Sequence, residues 1–243
     1  MHISFSWLQN KEKRRIFEER MTMAKTLLAL QPNSLPSYVR LLGRRFQADE
    51  MLKVIDYPDH QRQGRIEFEA LFFSEYVRIN DHGDSVDKLL SQDAGPYYHL
   101  DLGRDLLLPW PWNKQRISNC LAKIGRGKQC GDWRAELNHR VQLLLPVGIG
   151  IVYGGNHSLA TGIVNGEGMV VNAHSVDLTP LYPHVYFDGV SYRRTADKRV
   201  VQAAANAEMG AIFEIGRLMV EHNIKFDGMP ASEEDLHSQE RRR

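Results

Sequence analysis

The sequence predicts an α+β fold (α/β in its second half), with a helical N-terminal domain, a small mixed-sheet core and a long C-terminal helix. Three observations lead there. Apolar residues recur at helical spacing from Lys11 to about Gln92. After Gly95-Pro96 that pattern gives way to short apolar runs bounded by proline and glycine. An alanine-rich amphipathic stretch over residues 197–222 follows. The expected division is a helical domain at 1–95, a core with its closing helix at 96–226 and a disordered polar tail at 227–243.

Each expected element has a local reason. Phe17, Met21, Ala24 and Leu28 step by three and four, as one face of a helix does. Asn33-Ser34-Leu35-Pro36 ends that helix and starts the next, with a capping residue and a proline just inside. Val39, Leu42, Phe46 and Leu52 line the second helix, over 37–55. A polar break runs from Pro58 to Gly64. Phe68, Leu71, Phe72, Tyr76 and Ile79 suggest a third helix over 66–79, and residues 84–91 a short fourth.

Residues 97–108 read as extended, running into the stiffened turn Pro109-Trp110-Pro111-Trp112. Asn113 is a good helix cap, followed by Ile117, Leu121 and Ile124 on one face. Gly125-Arg126-Gly127-Lys128 ends that helix. The apolar run 141–152 is broken by Pro146 and stops at Gly154-Gly155. A helix over 158–164 is expected next, ended by Asn165-Gly166, then a strand over 169–173, a turn at 180–183, and a strand at 185–187 turning at Asp188-Gly189. Met209, Ile212, Phe213, Ile215 and Leu218 mark the buried side of the last helix.

Composition bounds the partners. The chain has 243 residues, 42% of them hydrophobic, enough for one substantial core or two small ones. Lysine and arginine number 31 against 30 acidic residues, so no global field draws the chain toward nucleic acid or acidic lipid. Cys120 and Cys130 read as free thiols of a reducing compartment. No stretch approaches the roughly 20 apolar residues of a membrane span. At the N-terminus the charges follow a short apolar segment, the reverse of a signal peptide. The expectation is a soluble cytoplasmic protein with no membrane partner.

The stretch V-Y-G-G-N-H-S-L-A-T-G, residues 152–162, carries the functional reading. A strand ending in glycines before a helix bares backbone N–H groups at the helix start. With the helix dipole behind them, those groups favour an anion such as phosphate. Glycine also lets backbone approach a ligand without a Cβ in the way. The stretch lacks the length and lysine of a P-loop and does not fit the dinucleotide fingerprint.

The order of pieces around this stretch resembles the ParB/sulfiredoxin-like superfamily. Sulfiredoxins have a proline-rich strand exit, a helix with a phosphate-binding basic residue, an apolar strand ending F-G-G-C-H-R-x-A-A, and a strand beginning I-P-A. Here the corresponding pieces are L-L-P-W-P-W-N-K-Q-R-I-S-N-C-L-A-K-I, then I-V-Y-G-G-N-H-S-L-A-T-G, then G-M-V-V-N-A. The resemblance covers about 75 residues and implies that Gly154, Gly155, Asn156, His157 and Ser158 hold nucleotide phosphates. It also implies that Arg116, with Lys114 nearby, takes the place of the nucleotide-contacting lysine. ATP or CTP, with Mg²⁺ carried on its phosphates, is the implied cofactor, and DNA an implied partner. Two departures matter. Asn156 replaces the reactive cysteine, which excludes thiol-dependent sulfinic acid reduction, and Ser158 replaces an arginine, which removes a positive charge.

Other chemistry is weaker. Ser158 lacks the flanking glycines of a nucleophile elbow and reads better as a cap or phosphate donor. His139, His157, His174 and His184 show no ligand spacing for a metal. Glu167, in an exposed N-G-E-G loop, is the candidate acid to orient a nucleophile or Mg²⁺, with Asp177 close in sequence. Trp110, Trp112 and Trp133 suit base stacking or packing on the helical domain. The basic groups at 11–15, 44–45, 126–128 and 193–199 read mostly as solvated faces. The expectation is a nucleotide-phosphate-binding protein acting on phosphoryl groups, as a phosphohydrolase, phosphotransferase or nuclease, with His157, Arg116 and Glu167 as catalytic residues. The rival is a non-catalytic DNA- or protein-binding module.

Overall fold

A computed structural model of the chain describes residues 2–58, 64–90, 92–93 and 96–241. Two long helices come first, α1 (His2–Leu30) and α2 (Leu35–Asp56), joined by a 3₁₀ turn at Pro32–Ser34. Ala24 of α1 is fully buried in the core, and Phe17, Met21 and Leu28 pack against the same cluster, as their spacing predicts. Two single-turn helices follow, α3 (Phe68–Leu71) and α4 (Val86–Leu89). The rest of the chain runs β1 (Gln92–Asp93), β2 (Tyr97–Asp101), β3 (Leu106–Leu108), α5 (Lys114–Lys123), β4 (Val141–Leu145), β5 (Ile149–Val152), α6 (Asn156–Asn165), β6 (Met169–Val171) and β7 (His174–Asp177). It ends with β8 (Val185–Phe187), β9 (Ser191–Arg194), β10 (Val200–Ala203), α7 (Ala207–Glu221), β11 (Met229–Ala231) and α8 (Glu233–Arg241). The α+β class stands.

The strands form three sheets. The central one has the order β1-β7-β4-β5-β3, flanked by antiparallel three-stranded sheets β10-β9-β8 and β11-β2-β6. In the central sheet β3 runs parallel to β5, with Leu108 beside Ile151, while β4 is antiparallel to β5 and parallel to β7. One end of this sheet therefore gathers the C-terminal ends of β3 and β5 with the N-terminal ends of β4 and β7. The glycine turn stands at that end, and the C-terminal ends of parallel strands are where α/β sheets place ligands.

Packing fixes that arrangement. The largest core cluster takes Leu35, Val39, Phe72 and Phe73 from the first 95 residues, and Leu106, Ile149, Tyr192 and Phe213 from the remainder. Helix α2 lies across α7 and β3, with Gly43 seated against Leu106. Gln47, buried on α2, donates to the Leu107 carbonyl at 2.5 Å, which satisfies polar groups that burial would otherwise strand. A smaller cluster, Val54, Ile117 and Ala160, ties the far end of α2 to α5 and α6.

Several expectations need correction. The third helix, expected over 66–79, lasts one turn, because the backbone leaves the helical region at Phe72, φ −123° and ψ −89°, and both Phe72 and Phe73 enter the core. Phe72 meets Phe213 at 5.5 Å between ring centroids, and Phe73 meets Tyr192 at 4.8 Å. The fourth helix likewise shrinks to Val86–Leu89. The extended stretch 97–108 is two strands in different sheets, parted by a turn in which the Asp105 carboxylate accepts the Asp101 N–H at 2.8 Å. The last helix begins at Ala207 rather than 197, where Asn206 caps it by accepting the Met209 N–H. Val200 and Ala203 pair with β9 instead. The tail, expected to be disordered from Asp227, forms β11 against β2 and then α8. The polar break at 59–63 and the boundary residue Gly95 lie outside the described residues.

Candidate functional site: a corner where two helices begin

Helices α5 and α6 start at the same corner. Each follows one of the parallel strands β3 and β5, so both enter from the same end of the sheet. His157, in the first turn of α6, accepts N–H bonds at Nε2 from Trp112 at 3.3 Å and Asn113 at 3.1 Å. Asn113 is in turn the N-cap of α5, its side chain accepting the Arg116 N–H at 2.8 Å. Neighbouring Asn156 accepts the Trp110 N–H at 2.7 Å, and Trp110 donates from its indole to the Val152 carbonyl at 2.8 Å. The proline-stiffened turn is thus sewn to the start of α6 by Asn156 and His157.

Those bonds define what His157 does. A ring nitrogen that accepts two backbone N–H bonds carries no proton, so the imidazole is the neutral Nδ1–H tautomer. His157 is buried at 9% exposure, with Trp112 edge-on at 5.4 Å. His157, expected to contact phosphate, is thus engaged through Nε2 as a structural clamp on the Trp112–Asn113 backbone.

The glycines also have a different cause from the one predicted. Gly155 is the N-cap of α6, left-handed at φ 72°, with no side-chain cap bond. A Cβ there would overlap the His139 ring, and one on Gly154 would overlap the Asn138 carbonyl oxygen. Arg140 accepts both the Tyr153 N–H at 2.9 Å and the Gly154 N–H at 3.3 Å through its own carbonyl. The chain's own 138–140 segment, running beneath the turn, demands glycine at both positions. Gly154, Gly155 and Ser158 nonetheless remain partly open to solvent.

Charge at the corner is one-sided. Neither α5 nor α6 has an acidic residue in its first turn. Helix α5 instead starts with Lys114 and places Arg116 two residues on, both exposed. Cations at a helix N-terminus oppose the dipole, and such placements cost about 0.3–1 kcal/mol each. The Arg116 guanidinium lies over the Trp112 ring at 4.9 Å, and Trp112 is 40% exposed.

His139 holds the corner from below. It stacks on Trp133 at 4.9 Å, and its Nδ1 accepts the Glu136 N–H at 2.8 Å. Burial pushes its pKa down to about 4. Its Nε2 has no hydrogen-bond partner among the described residues and lies 3.0 Å from where a Cβ on Gly155 would stand. Trp133 donates its indole N–H to the Ser158 carbonyl at 2.8 Å, fixing the first turn of α6 from the same side.

Glu167 is not part of this corner. It follows the C-terminal end of α6, and ten helical residues span about 15 Å. There its carboxylate accepts the Arg126 N–H at 3.2 Å and the Asn165 side-chain N–H at 3.3 Å, closing the loop after α5. The expected trio of His157, Arg116 and Glu167 is therefore not assembled. Asp177 caps Thr179 at the opposite end of the sheet from the corner. Among the described residues no group of three or more His, Cys, Asp or Glu side chains could hold a metal ion.

A second polar group at the same sheet end escaped the sequence reading. Tyr153 donates to the Gln142 side-chain oxygen at 2.8 Å, and the Gln142 amide meets His174 Nε2 at 2.9 Å. Burial lowers the His174 pKa, while burial, with Glu75 and Glu67 nearby, raises that of Tyr153. Glu75 is raised as well, by burial first and then by Glu67, Asp87 and Glu69. Gln142 interrupting an apolar strand was the available signal.

Cys120 and Cys130 are free thiols, and no helix among the described residues is long and apolar enough to cross a membrane. A family model described as a family of unknown function, DUF6710, matches residues 3–226, and the chain belongs to that family. Comparisons with curated proteins and with solved structures find no match.

Proposed function

We propose that this chain binds the phosphates of a nucleotide at the corner where α5 and α6 begin. The observation that carries the reading is the convergence of two helix N-termini, free of acidic residues in their first turns, with Arg116 and Lys114 exposed on one of them. Anions are favoured at such ends by the helix dipole and by N–H groups without intrahelical partners. Arg116 supplies a planar fork that matches phosphate oxygens in pairs. The backbone of residues 155–158 contributes N–H donors, that of Gly154 being held by the Arg140 carbonyl, whereas the side chains of Asn156 and His157 hold the Trp110–Asn113 turn in place. The resemblance to the ParB/sulfiredoxin-like superfamily implies the same place for the phosphates, although it has the histidine contact them, with ATP or CTP as ligand and Mg²⁺ arriving on its phosphates.

Binding, rather than acid-assisted phosphoryl transfer, is what the corner supports. Its charge is suited to holding an anion, and the carboxylate assigned to catalysis closes a loop at the other end of α6. Isothermal titration with ATP, CTP and inorganic pyrophosphate, with and without Mg²⁺, tests the reading. Saturable binding that falls at least tenfold in Arg116→Glu is the expected result. Absence of binding by all three ligands contradicts it, and steady turnover of ATP would restore the enzymatic version.

A further inference from the structure

Positive charge near this corner does not stop at Arg116. From Asn113 to Arg140 the chain carries seven Lys and Arg against two Asp and Glu, a net of +5, although the whole chain is +1. The remaining residues are therefore at −4, so charge is segregated along the sequence. Among the described residues Arg116, Lys123, Arg126, Arg134 and Arg140 form no ion pair, and all five are exposed.

Helix geometry sets two of these cations on one side of α5, and a third follows three residues on. Arg116 and Lys123 are seven residues apart on α5, which returns them to nearly the same side of the helix about 10 Å apart. Ile117, on another side of α5, is buried, so the helix turns its charged side outward. Arg126 follows in the loop whose backbone Glu167 closes. At the corner end of α5, the stacked Trp112 and Arg116 form an aromatic–guanidinium platform of the kind on which unpaired bases stack.

We propose that the corner also takes a phosphate of single-stranded nucleic acid, whose backbone continues along the outer side of α5 through Lys123 to Arg126. This rests on the anion-binding reading of the corner and names its ligand class. Charge complementarity favours a polyanion over a lone nucleotide, because a mononucleotide reaches only Arg116 and its immediate neighbours. The platform favours unpaired bases over duplex, where the faces are already stacked. Different sides of α5 divide the work, one packed on α6 and one left for the strand.

Fluorescence anisotropy of a labelled 20-residue oligothymidylate tests this, with pyrophosphate titration run in parallel. Oligonucleotide affinity should exceed that for pyrophosphate, and log K should fall with log salt at a slope of about −2 for three phosphate contacts. Lys123→Glu with Arg126→Glu should weaken the oligonucleotide at least tenfold and leave pyrophosphate within twofold. Lys123→Gln with Arg126→Gln, gentler at the helix end, should reduce the slope, with circular dichroism confirming the fold. Equal affinity for oligonucleotide and pyrophosphate, or insensitivity to both double variants, overturns the nucleic-acid track while leaving the corner intact. Failure of pyrophosphate itself to bind removes the corner and the track together. Binding to vesicles containing phosphatidylserine, with none to the oligonucleotide, overturns the track in favour of a lipid surface.

Discussion

Arginines on α7 and the β8–β10 sheet behave unlike those of the 113–140 segment. Arg217 donates to Glu214 at 2.8 Å and reaches the Val185 carbonyl at 2.6 Å, while Arg193 meets Asp188 at 2.5 Å. Glu214 is buried and also accepts the Phe187 N–H at 2.8 Å. There, charge is consumed in joining elements. Along α5 and the loop after it, five exposed cations have no acidic partner among the described residues, and two basic residues open a helix against its dipole. A charge that joins elements is explained by the fold. A charge that the fold leaves unmatched asks for a partner from outside.

The contrast can be broken at both ends. Glu214→Ala leaves the partly buried Arg217 guanidinium without its counter-charge and the buried Phe187 N–H unmet, which should cost about 3 kcal/mol. Urea denaturation measures this, and pyrophosphate affinity should not change for the folded fraction. A loss below about 1 kcal/mol would mean that the pair is not structural.

His139 comes next, because it belongs to both regions: buried like the first, placed like the second. Its pKa lies near 4 in the folded chain against an ordinary 6.5, so the unfolded state binds the proton more readily. Its share of stability is fully present above pH 6.5 and drains away as pH falls toward 4, by up to about 3 kcal/mol. Melting temperatures across pH 4–7 should show this acid limb, and His139→Phe, which keeps a ring against Trp133, should flatten it.

The smallest effect is the most telling for the unmatched charges. Arg126→Gln should change stability by no more than about 0.5 kcal/mol, as an exposed side chain without partners does. A larger loss in the same urea assay would assign that arginine to the fold and narrow the contrast.

Much of this architecture was legible in the chain itself. Gly154-Gly155 before Asn156 announced a strand giving way to a helix, and Asn113 announced a cap, because both signals act within a few residues. The cause of the glycines was not legible, since His139 and Asn138 pass beneath the turn only after a hairpin brings them back. Glu167 was misplaced by nearness in sequence, although the ten-residue helix that starts at Asn156 already implies separation. The tail misled because its composition is polar. Its order comes from β11 pairing with β2 and from Gln239, which accepts the Val171 N–H at 2.7 Å. Gln142, Tyr153 and His174 come from three different segments, and only the sheet register unites them.

The central claim is that the backbone starting α6, beside Arg116, receives phosphate oxygen. Backbone amide resonances followed by ¹H–¹⁵N NMR during a pyrophosphate titration address it directly. The account predicts saturable shifts concentrated at Asn156, His157, Ser158 and the first turn of α5. Shifts confined to other surfaces, or none at millimolar pyrophosphate, would contradict it.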